Sequence, residues 1–198
     1  MSQSTSEAAV AAYASAAPIP RRREMLFGSA FATAGVSMLV VVLVANYLIE
    51  RTAGGAQWLV DNQIPLTQPN MQLITLGMSV VTMQWAFWSI ARDDRYHTYM
   101  AIGTTLLLGA AFVNQTTFLY KMAGITIAQP EGPLFYAVTG THLAMMIAAM
   151  IFLVLVLFRV LAGQYSSRLP DGIGAVAILW YAGVALYALI WFAVYVQK

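Results

Sequence analysis

The sequence predicts an all-α integral membrane protein, a bundle of five transmembrane helices. Hydrophobic residues make up 60% of the 198 and charged residues only 9%, where soluble domains carry about 25% charged residues. The apolar residues fall into five long runs, each at or above the roughly 20 residues that cross a bilayer as a helix. Short segments rich in glycine, proline and charge separate the runs. The net charge is +2 and the cations sit at loop edges, so no basic patch supports nucleic-acid binding. With no cysteine, disulfides, thiolate metal sites, iron–sulfur clusters and cysteine nucleophiles are excluded together.

Residues 1–24 read as a mobile cytoplasmic tail, rich in alanine and serine, with Pro18 and Pro20 near its end. Arg21, Arg22 and Arg23 then precede the first span, about 25–49. A twin-arginine export signal would also begin this way, but a run long enough to span and followed by further spans favours a retained anchor. Gly54-Gly55, Trp58, Pro65 and Pro69 mark a first loop with interfacial character. The second span, about 71–91, carries Trp85 and Trp88 near its inner end, where indoles prefer to sit. In the turn Arg92-Asp93-Asp94-Arg95 the acidic pair reads as solvation of the turn, since a divalent metal needs more converging oxygens.

The third span, about 98–120, ends in the polar run Asn114-Gln115-Thr116-Thr117. Asn114-Gln115-Thr116 fits a glycosylation pattern, yet inside an apolar span hydrogen bonds between helices are the better use. Lys121 to Pro133 reads as a loop. The fourth span, about 134–158, is charge-free up to Arg159 and contains one of the two histidines. A polar group at this depth requires a partner. Gly140, Ala144 and Ala148 recur at helical spacing and predict a smooth face for close packing, beside a polar stripe of Thr139, His142, Met146 and Met150 or Ala149. In the fifth span, about 173–196, Trp180, Val184, Tyr187 and Trp191 share a stripe, expected to meet lipid or another subunit rather than a cofactor.

Lysines and arginines number seven on the side of the amino-terminal tail and three on the opposite side. That bias predicts a cytoplasmic amino terminus and, with five spans, an external carboxyl terminus. No carboxylate, lysine or arginine lies deep in a span, which disfavours a proton relay or a transporter. His142 with a methionine could supply haem ligands, but His97 lies beside a loop and cannot serve the same iron. An interhelical or headgroup hydrogen bond is the expected role of His142.

The span order, the segment GPLFYAVTGTHLAMMIAAMIFLVLVLFR and the closing ILWYAGVALYALIWFAVYV together resemble subunit III of the haem–copper oxidases, over roughly residue 24 to the end. The match looks nearest to the short five-span bacterial cytochrome c oxidase form. Phe135, Tyr136, Thr139, Gly140 and His142 match the family pattern of the penultimate helix, with Met145 where a second histidine is usual. In the last helix Trp180 matches, while Tyr181 and Val184 replace a histidine and an aspartate. A usual carboxylate is absent around Gly35 and Val36, and the Gln115 region stands where a glutamate is usual.

The resemblance implies a non-catalytic accessory subunit in a bacterial plasma membrane, binding no cofactor itself, with haem and copper in its partners. Those partners would be the catalytic oxidase subunit, other respiratory-complex subunits and phospholipids. It further implies support of turnover stability and proton uptake, the latter weakened here by the missing carboxylates and histidines. His142, Thr139, Tyr136, Trp180 and Arg159 are the expected lipid or interhelical polar contacts, with no catalytic or metal-binding residue. Other readings are a related component of a quinol oxidase or nitric-oxide-reductase-type complex, and an independent small transporter or metal-site protein.

Overall fold

A helix of 31 residues, α1 (Glu24–Gly54), opens the described chain, with Glu24 in its first turn and Arg51 in its last, each complementing the helix dipole. The computed structural model describes residues 23–55, 58, 64–165 and 171–197. The expected tail up to Arg22 lies outside the described residues, as do Arg168 and Lys198 of the charge count. After α1 come α2 (Thr67–Ile90), α3 (Arg95–Ala123), α4 (Gly132–Leu161) and α5 (Asp171–Ile190), which runs on through a π-helical segment (Trp191–Val196). All five are long and apolar enough to cross a membrane.

Most of the helices overrun the apolar runs, because a helix keeps its backbone bonds internal beyond the hydrocarbon. Gly132 and Pro133, expected in a loop, instead form the first turn of α4. Proline is accommodated there because first-turn amides have no intrahelical acceptor. The preceding helix ends at Gly124, whose φ of 63° is the left-handed conformation that closes many helices. The α2–α3 turn is tight and includes Asp93 at a φ of 59°. Asp94 then caps α3, accepting from the His97 amide at 3.1 Å and facing the His97 ring at 2.6 Å. The acidic pair therefore builds the turn as well as solvating it.

The last helix is the axis of the bundle. α5 packs against α1, α2 and α4, while α2 and α3 pack side by side along their length. Half of the most apolar stretch of α5 is buried, against 17% for α1, which leaves α1 on the periphery. Two apolar cores stack along the bundle. One gathers Leu76, Met83, Ile102, Phe112, Leu153 and Trp180 from α2 to α5. The other gathers Val44, Tyr47, Leu119, Phe135, Met145 and Ile190 from α1, α3, α4 and α5.

The smooth stripe of α4 does not face the bundle. Ala144 and Ala148 are exposed, and a methyl group added to Gly140 would meet nothing within 4 Å. Phe135, Val138, His142, Met146, Ala149 and Leu153 form the inward face instead. Large side chains fill the broad spaces among four helices, while close approach occurs at glycines of the neighbouring helices, Gly109 of α3 against Trp180 and Gly183 of α5 against Met146. A methyl group on Gly183 of α5 would collide with the Met146 sulfur.

Candidate functional site

The buried polar groups converge where the two cores meet, on α2, α3, α4 and α5. His142 is 2% exposed, and its Nε2 lies 2.8 Å from the Gly183 carbonyl oxygen. A carbonyl only accepts, so Nε2 carries the proton and donates across the α4–α5 contact. The ring meets Phe112 edge-on at 5.7 Å and Tyr187 at 5.5 Å. With Nε2 committed to a carbonyl, the geometry gives no opening for a metal at that atom. Among the described residues no three histidine or carboxylate side chains converge as a metal site.

A second set of bonds joins three helices in sequence. The Tyr187 hydroxyl donates to Gln72 Oε1 at 2.6 Å and lies 3.2 Å from the Pro69 carbonyl. Gln72 Nε2 donates to the Thr116 hydroxyl at 2.8 Å, and Thr116 donates to the Phe112 carbonyl at 2.9 Å. Each buried group thus donates a hydrogen bond to the next, which is how polar atoms are accommodated away from water. About two turns toward the α2–α3 turn, Trp180 Nε1 donates to Ser79 Oγ at 2.9 Å, and Ser79 donates to the Leu76 carbonyl.

Around this centre the other expected residues separate. Tyr120 donates to the Thr139 hydroxyl at 2.9 Å, and Thr139 donates back to the Phe135 carbonyl. The Tyr136 hydroxyl holds the Ile125 carbonyl at 2.7 Å, tying α4 to the segment before it. Arg159 stands apart, exposed near the end of α4, beside a groove of about 260 Å³ lined by Met25, Phe152, Leu155, Val156 and Phe158. The stripe of α5 expected on lipid or another subunit turns inward instead: Trp180 and Tyr187 bond to α2, and Trp191 Nε1 donates to Asn70 at 2.7 Å. Gln72, Ser79 and Gly183 had no assigned part in the sequence reading. Their signals were a glutamine and a serine within the second span and a glycine in the middle of the last.

The family model for cytochrome c oxidase subunit III matches residues 52–198. The chain belongs to the cytochrome c oxidase subunit III family. The match spans α2 to α5 and includes every residue of the polar centre, while nearly all of α1 precedes it. Relatives include "Cytochrome c oxidase subunit 3" of Ovis aries, 29% identical over 132 residues, 66% of this chain and 51% of the relative. The protein of the same name from Strongylocentrotus purpuratus is 29% identical over 145 residues, covering 71% and 54%. That of Salmo salar is 30% identical over 132 residues, covering 66% and 51%. The chain spans about half the length of the curated relatives it matches.

These relatives are animal proteins. They correct the expectation of a short bacterial form and, with it, of a bacterial plasma membrane, and they point to a mitochondrial membrane. The bilayer explains why the sequence misled here. Span length and polar patterning answer to hydrocarbon thickness and to helix contacts, which differ little between the two membranes. Five spans therefore carry no lineage.

Proposed function

We propose that the chain acts as a non-catalytic accessory subunit of a terminal haem–copper oxidase, packing against the catalytic subunit and holding phospholipid. Family membership across α2 to α5 is the observation that carries this reading. The chemistry of the interior supports it. The buried polar side chains of the centre are engaged in helix-to-helix hydrogen bonds, and the carboxylates of the described helices lie near their ends, at Glu24, Glu50 and Asp171. Such an interior suits a rigid support better than a proton path or a redox centre. Haem and copper would belong to the partner subunits.

Lipid is the second part of the proposal. Arg159 at the mouth of an apolar groove between the start of α1 and the end of α4 pairs a fixed cation with a surface for acyl chains. A long arginine can lie along that surface while its guanidinium reaches the headgroup level. His142, Thr139, Tyr136 and Trp180 serve as interhelical contacts that keep α4 and α5 in place for it.

The deciding experiment is a gentle-detergent purification through a carboxyl-terminal tag, followed by a visible spectrum, identification of co-purifying chains and lipid extraction. Haem absorption together with larger oxidase subunits is the expected result. A colourless preparation of this chain alone would overturn the accessory role.

A further inference from the structure

A small cavity lies inside the polar centre, with a volume of about 10 Å³. Nine residues line it, and six of them are polar: Gln72, Thr116, Thr139, His142, Tyr187 and Tyr195. They come from α2, α3, α4, α5 and the π-helical segment. A volume near 10 Å³ lies at the lower limit for one water molecule and is far too small for a lipid chain or a cofactor. Dry cavities in proteins are apolar, whereas polar ones hold water that makes about three hydrogen bonds.

The bonding capacity left over in the lining matches one water. His142 uses Nε2 on the Gly183 carbonyl, which leaves Nδ1 as a lone-pair acceptor. Gln72 uses one amide hydrogen on Thr116 and keeps a second. Tyr187 donates its proton to Gln72 and keeps oxygen lone pairs. Tyr195 brings a hydroxyl at a residue only 3% exposed. Water supplies two donors and two acceptors, so it can donate to His142 and Tyr187 while accepting from Gln72 and Tyr195. An apolar filling would leave His142 Nδ1 and the second Gln72 amide hydrogen unanswered at bilayer depth, where no bulk water compensates them.

We infer that this cavity is a binding site for a single structural water, hydrogen-bonded to His142 Nδ1 of α4 and to polar groups of α2 and of α5 with its π-helical end. The water joins the His142–Gly183 contact to the Tyr187–Gln72–Thr116 chain, which the direct bonds leave as separate sets. His142 then reaches α5 directly through one nitrogen and α2 through the water on the other. The inference does not depend on the oxidase reading.

Solid-state NMR on the full-length chain in phospholipid bilayers tests this directly. The chain has two histidines, so 15N-histidine labelling gives two sets of ring signals, and H97N identifies those of His142. The expected spectrum shows a protonated Nε2 and an unprotonated Nδ1 shifted upfield from the position of a free imine nitrogen. Nδ1 should also give a cross peak to a water proton, which disappears in D2O buffer. A free-imine Nδ1 with no water cross peak would overturn the site. A cross peak to a tyrosine or threonine hydroxyl in place of water would overturn it equally, since Nδ1 would then be satisfied by the protein itself. H97N serves only to assign the signals, and every outcome is read on the wild-type chain.

Discussion

Tyr187 and Gln72 form a short bond at the polar centre, 2.6 Å between groups that are both buried. Deleting Tyr187 strands Gln72 Oε1, and deleting Gln72 leaves the Tyr187 hydroxyl only the longer bond to the Pro69 carbonyl, so each loss costs more than the bond itself contributes. Tyr187→Phe and Gln72→Leu should each lower stability by about 1–3 kcal/mol. The double variant should lose clearly less than the sum, since neither stranded group remains. Denaturation in mild detergent, followed by the helix signal, measures all four species, and strict additivity would deny the coupling. His142 gives a companion test. His142→Gln keeps a donor within reach of the Gly183 carbonyl, whereas His142→Leu strands it and should cost about 1–3 kcal/mol. Metal content of the purified complex should be the same for both as for wild type, and loss of a metal in either would make His142 a ligand. The need for a partner at His142 was legible in the sequence from its depth in an apolar run. Its partner was not legible, because a backbone carbonyl one helix away leaves no residue-type signature.

At the scale of the helix, α4 shows why the faces were harder to read than the spans. In water an apolar stripe marks the inside, but in a bilayer lipid is as apolar as a core, so hydrophobicity marks no side. Gly140, Ala144 and Ala148 therefore resembled a packing face and turned outward, and Trp180, Tyr187 and Trp191 resembled a lipid face and turned inward. What distinguishes the inner stripes is hydrogen-bonding capacity, and Thr139, His142, Trp180 and Tyr187 all carry it. Gly183 permits the contact between α4 and α5, so Gly183→Ala should push Met146 aside and destabilise by about 1–3 kcal/mol. Combining it with Met146→Ala should recover part of that loss, and the same denaturation measurement reads the recovery. At the start of α3 the Asp94 carboxyl is held below its ordinary value of 3.8, first by the His97 amide and then by the His97 ring. A lowered acid pKa stabilises the folded form fully above 3.8 and loses that contribution as pH falls through the folded value. Amide exchange in the first turn of α3 should therefore quicken only in that acidic range. In Asp94→Ala the same amides should be quick at neutral pH, and unchanged protection there would remove Asp94 as the cap.

For the whole molecule, the division between a bonded interior and an apolar exterior sets what the bundle can contribute to an assembly. Its polar side chains hold four helices to one another, and large apolar residues such as Phe31, Met38, Ile74, Met78, Leu107 and Ile151 stand exposed. Such a body offers shape, rigidity and surface to lipid and to neighbouring helices, and association there rests on packing because lipid removes the hydrophobic drive. On the proposed accessory role, support of that kind would act on how long a partner keeps working more than on the rate of its chemistry. An oxidase prepared without this chain should therefore start near its normal turnover and lose activity faster during sustained catalysis. Restoring the chain with bound phospholipid should restore the lifetime. Arg159→Gln should reduce the anionic phospholipid retained through purification and shorten that lifetime, while leaving assembly and the haem spectrum intact, because Arg159 lies outside the polar centre. If turnover decays no faster without the chain than with it, the supporting role fails. If lipid retention is unchanged in Arg159→Gln while the lifetime shortens, support persists but the groove at the end of α4 is not where lipid provides it.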